Sequence, residues 1–121
     1  MTFFEYLNEI NRFESIENTV KYINANFIDI QHAYYTSSYI ELQQNSIQVD
    51  DIFFDLFNKN LFNNKSIFTS ALIELLADYF ERYKCVAPLV QIENFVDVNS
   101  TLKKRVKSAL LFLRVNGATV D

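Results

Sequence analysis

With 121 residues, half of them apolar, and a formal net charge of −4, the chain has the length of one domain and enough apolar mass for one core. No apolar run approaches the roughly 18 residues of a membrane span, and the N-terminus Met1-Thr2-Phe3-Phe4-Glu5 lacks the basic segment of a signal peptide, so a cytoplasmic setting is expected. A lone cysteine, Cys85, excludes an internal disulfide, and a single glycine and proline speak against sandwiches, barrels and phosphate-loop folds, which place glycine where a turn needs φ > 0.

Thr2 and Glu5 have capping-box spacing and start a first helix with Phe3, Leu7 and Ile10 on one face. Asn11 to Glu14 reads as a turn. Ser15 then caps a second helix, in which Ile16, Val20, Ile23, Phe27, Ile30 and Tyr34 recur at steps of four and three. Residues 35–49 carry the least decisive pattern. Helix and loop are favoured there over a small hairpin at 38–49, because neither Asn-Gly nor Asp-Gly occupies the turn. Asp50 and Asp51 suit the positive end of a helix whose core face is Ile52, Phe53, Leu56 and Phe57. The Asn/Lys-rich segment Asn58 to Lys65 reads as a loop.

Ser66 caps the next helix, and its stripe of Ile67, Phe68, Ala71, Leu72, Leu75, Leu76, Tyr79, Phe80 and Tyr83 is broad enough for a central helix. Pro88 ends or restarts the chain, and Leu89, Ile92, Phe95 and Val96 fit a short helix. A last helix, capped at Asn99 or Ser100, turns Leu102, Val106, Ala109, Leu110 and Leu113 inward and stops at Asn116-Gly117. The expectation is a mainly all-α fold, one domain over residues 1–121 built as a compact bundle of about five to six helices.

Charge is segregated along the chain. Residues 1–58 hold nine acids and two bases, net −7, whereas residues 59–121 hold six acids and nine bases, net +3, which together give −4. Such asymmetry bears on partners rather than on fold. The acidic half carries Glu14, Glu17, Asp29, Glu41, Asp50, Asp51 and Asp55 beside Tyr34, Tyr35 and Tyr39. Tyrosine supplies contact area and a hydrogen bond at small entropic cost. Glu14, Glu17, Tyr35, Tyr39, Glu41, Asp50, Asp51 and Asp55 are therefore the candidate partner-binding residues, against the plain alternative of capping and solubility. In the basic half, Lys103, Lys107 and Arg114 fall within about 40° on one side of the last helix. Together with Lys104 they form the alternative patch, whose plain reading is a solvated face.

Catalytic chemistry is sparse. His32, the only histidine, follows Asp29 by three positions, but a di-iron bundle needs that pairing twice. Cys85 follows Lys84, yet no base is positioned by sequence to activate it, so a structural thiol is the expected role. Glu74, Asp78, Glu81 and Arg82 read as one solvated helix face. No phosphate loop, dinucleotide fingerprint or zinc spacing is present. The chain is therefore expected not to be an enzyme and to use no cofactor or metal. The favoured function is that of a small acidic immunity protein or antitoxin that binds a basic toxin domain, such as a nuclease. The bias toward Asn, Phe, Ile, Tyr and Lys reads as AT-rich coding, which suits a bacterial or phage gene. The alternatives are a DNA-binding regulator that uses the basic last helix, for which overall acidity is unfavourable, and a phage-encoded inhibitor of a host defence system.

Overall fold

Helix-start signals decide most of the architecture. Thr2 accepts from the Glu5 N–H while the Glu5 carboxylate accepts from the Thr2 N–H at 2.9 Å, and this capping box opens α1 (Phe3–Arg12). Ser15 caps α2 (Ile16–Thr36) through the Asn18 N–H, and Ser38 caps α3 (Tyr39–Gln44) through the Glu41 N–H. The chain continues through α4 (Ser46–Asn58), a 3-10 turn (Leu61–Asn63), α5 (Ile67–Arg82), α6 (Val86–Asn94) and α7 (Ser100–Val115), the last capped by Asn99. The computed structural model describes residues 1–116. Among them are seven α-helices and no strand, which is the all-α architecture that the periodicity indicates. The expected stop at Gly117 lies outside the described residues.

The hairpin alternative at 38–49 is overturned. Asn45 alone separates α3 from α4: its side chain donates to the Glu41 carbonyl, and its own carbonyl accepts from the Val49 N–H. Val49, Ile52, Phe53 and Leu56 are all buried at helical spacing, so the helical period extends back before the aspartates. Asp50 and Asp51 consequently sit in the second turn of α4 and not at its positive end. The segment 58–65 is also more ordered than a loop. Its 3-10 turn buries Leu61 and Phe62, and Phe62 stacks on Phe53 at 5.8 Å.

The chain divides into two compact units, Met1–Leu72 and Ile73–Asp121, with the boundary inside α5. In the first, α1 packs on α2 and on α4. Phe3, Leu7 and Ile10 of α1 are buried, as are Ile23, Phe27, Ile30 and Tyr34 of α2, while Ile16 and Val20 are half-buried. Phe3 meets Tyr34 at 5.0 Å, an aromatic pairing worth about 0.5–1.5 kcal/mol beyond area burial. Lys59 ties the end of α4 to the end of α1 through the Asn11 carbonyl and side-chain oxygen.

In the second unit α6 packs on α7. Pro88 lies in the first turn of α6, where its missing N–H costs nothing. All five positions expected to face inward from α7 are buried. Along α5, residues 72–80 are buried except exposed Glu74 and half-buried Asp78, as the broad stripe indicates. The first turn departs from it: Ile67 is 81% exposed and Phe68 only partly covered, while Thr69 points inward. α5 ends in a Schellman arrangement, in which the Cys85 N–H reaches the Phe80 carbonyl at 2.8 Å and the Lys84 N–H the Glu81 carbonyl at 3.3 Å. That turn forces Lys84 to φ 59, a left-handed conformation that glycine usually fills.

Candidate interaction surfaces

The acidic candidates separate into two places on the first unit. Glu14 and Glu17 lie at the start of α2 and are exposed, with Glu17 paired to Lys21 at 3.2 Å. Tyr35 lies eighteen residues further along the same helix, about 27 Å away at the α-helical rise. Asp55 accepts from Asn11 at 3.2 Å and so belongs with the α1–α2 turn. Tyr35, Tyr39 and Glu41 gather where α2 passes into α3, and all three are exposed. Asp51, also exposed, sits on α4 between these ends, whereas Asp50 is half-buried.

The α2–α3–α4 end carries two residues that the candidate set omits, Ile40 and Ile47. Tyr35, Tyr39, Ile40 and Ile47 have exposures from 58% to 74%, large apolar side chains clustered within thirteen residues of sequence. Contiguous apolar surface beside polar groups is a mark of a contact site. Its own stretch of chain carries charge of one sign: from Tyr22 to Asn58 there are five acids and neither lysine nor arginine. The signal was available in the sequence, because Ile40 and Ile47 fall off the buried positions Leu42 and Val49.

The second unit has the opposite character. Lys103 is half-buried, Lys104, Lys107 and Arg114 are exposed, and none of the four makes an ion pair among the described residues. Between Val98 and Asn116 there are five bases and no acid. Leu111 and Val115 lie next to these bases around the helix, at exposures of 62% and 78%, whereas Phe112 lies on the far side. They too lie off the buried stripe of their helix. Arg105 is engaged differently: it reaches Asp78 of α5 at 2.8 Å and Glu81 at 3.4 Å, and Arg82 adds a contact to Asp78 at 3.4 Å. Partial burial pulls the Arg105 pKa down, but hydrogen bonding to Asp78 and the charge of Glu81 outweigh it, and the net shift is upward. The α5 acids are thus one side of a cross-helix network. A groove of about 630 Å3 runs beside it, with Ala109, Phe112 and Leu113 on its apolar side and Lys84 and Ser108 among its polar lining.

No family model matches the chain, and neither a curated protein nor a solved structure does. His32 is exposed on α2, as is Asp29 one turn before it. Cys85 is half-buried at the start of α6, its sulfur 3.7 Å from the Tyr83 carbonyl. No helix among the described residues is long and apolar enough to cross a membrane.

Proposed function

We propose that the chain is a small acidic immunity-type protein or antitoxin of a bacterial cytoplasm, which neutralises a cationic toxin domain by direct binding and catalyses no reaction. The reading rests on the α2–α3–α4 end of the first unit, where exposed Tyr35, Tyr39, Ile40 and Ile47 stand in a stretch with acids and no lysine or arginine. Acidic surface raises the rate of encounter with a cationic partner, and tyrosine and isoleucine anchors then slow dissociation. Steering of this kind weakens as salt shortens the Debye length from about 30 Å at 0.01 M to about 8 Å at 0.15 M.

The test is co-expression of the chain in cells induced one at a time for a panel of cationic nuclease and other toxin domains. Rescue of growth by the native chain, lost in Tyr35→Ala/Tyr39→Ala and retained in Glu14→Gln/Glu17→Gln, is the expected result. Rescue from none of the panel would overturn the reading, and rescue lost only in the Glu14/Glu17 variant would move the site to the other end. A second reading, a DNA-binding regulator acting through α7, is favoured by Lys103, Lys104, Lys107 and Arg114, which make no ion pair among the described residues. Gel shifts on duplex DNA at low salt, with Lys103, Lys104 and Lys107 changed to Glu, test it; absent or unaltered binding removes it.

A further inference from the structure

We infer that copies of this chain associate head to tail, the outer face of α7 of one molecule seating on the α2–α3–α4 end of another. Each face is amphipathic, and along their own stretches of chain the two carry charges of opposite sign. On α7, Lys104, Lys107 and Arg114 flank exposed Leu111 and Val115, with no acid from Val98 to Asn116. On the α2–α3–α4 end, Glu41 and Asp51 flank exposed Tyr35, Tyr39, Ile40 and Ile47, with no lysine or arginine from Tyr22 to Asn58.

A two-fold pairing of like faces is disfavoured, because it would oppose bases to bases or acids to acids. Complementary but different faces give a heterologous contact, which closes into a ring or extends with concentration. The apolar residues supply contact area that desolvates on docking, and the charges set orientation and encounter rate. This association requires no second gene product and is measured on the chain alone, so it stands or falls apart from the toxin reading.

Sedimentation velocity on the full chain tests it. In about 20 mM salt the weight-average mass is expected to exceed 14.2 kDa and climb with protein concentration, then return toward 14.2 kDa in about 0.5 M salt. Lys104→Glu/Lys107→Glu leaves the acidic end intact, and Glu41→Lys/Asp51→Lys leaves the basic face intact. Each variant alone is expected to sediment as a monomer at low salt. An equimolar mixture is expected to associate again, because the acidic end of the first variant meets the basic α7 of the second and the two reversed faces are in turn complementary to each other. Leu111→Ser is expected to weaken native association without a change of charge. Native protein that stays at 14.2 kDa at low salt and high concentration would overturn the inference, as would association that both charge reversals leave unchanged. A mixture that remains monomeric would overturn it too. Circular dichroism of each variant, with all substitutions at exposed positions, separates loss of association from loss of fold.

Discussion

Replacing Lys84 by glycine should stabilise the protein relative to replacing it by alanine. Lys84 holds φ 59 at the residue that follows the α5 cap, where the Schellman bonds to Phe80 and Glu81 fix the turn. A side chain with a Cβ costs roughly 1–2 kcal/mol in the left-handed region. Glycine removes that clash but restores roughly 0.5–1 kcal/mol of backbone entropy to the unfolded chain. Both substitutions delete the ammonium at the negative end of the helix dipole, so their difference isolates the Cβ. Lys84→Gly should therefore exceed Lys84→Ala by about 0.5–1 kcal/mol, or about 2–4 °C in Tm for a chain of this length. Thermal and urea unfolding followed by circular dichroism would measure it. Alanine equal to or better than glycine would show that the left-handed turn is not populated in solution, and the Schellman end of α5 would have to be abandoned.

Three further outcomes follow from single side chains. The Thr69 hydroxyl is buried without a hydrogen-bond partner among the described residues, so Thr69→Val, which keeps the shape, should raise unfolding stability by about 1–2 kcal/mol; a loss in urea titration would mean that the hydroxyl is bonded. Leu61 is fully buried, and Leu61→Ala should cost about 2–5 kcal/mol, whereas a cost near zero by the same titration would return residues 58–65 to a loop. The Glu5 carboxyl is held below its ordinary range by the Thr2 backbone N–H first and the Thr2 hydroxyl second. Its contribution is thus present above the unfolded-state pKa and disappears as pH falls through the lower folded-state pKa. Native protein and Glu5→Gln should differ more in Tm at pH 7 than near pH 3, and a gap that widens on acidification would contradict the capping box.

The parts of the fold legible in the sequence are those where an oxygen-bearing cap precedes a regular apolar stripe. Thr2 before Phe3, Leu7 and Ile10 is one case, and Asn99 before Leu102, Val106 and Leu110 is another. What the pattern does not convey is how far a stripe reaches. Asp50 and Asp51 look like the start of a helix because acids favour that end, yet Val49 already belongs to the buried set and Asn45 supplies the joint. Leu61 and Phe62 hide in an Asn-rich run, since a single 3-10 turn shows no period that repetition could reveal. At the other extreme, Ile67 and Phe68 fit the α5 stripe by spacing but lie in its first turn, where helical angle alone does not decide cover.

The candidate surfaces follow the same logic from the opposite side. Charge runs along the chain are visible without any structure, but a carboxylate list has no geometry, and the fold separates Glu14 and Glu17 from Tyr35 and Glu41 by most of the length of α2. Apolar residues that miss the stripe of their own helix are more informative. Ile40 and Ile47 miss the register of Leu42 and Val49, and Leu111 and Val115 miss that of Leu110 and Leu113. Burial does not account for these residues in the isolated chain, and apolar groups beside charges are what a contact surface would present. The two groups lie on stretches of opposite charge, acidic on α3 and α4 and basic on α7, so a cationic partner should bind less tightly after Glu41→Lys/Asp51→Lys and no less tightly after Lys104→Glu/Lys107→Glu.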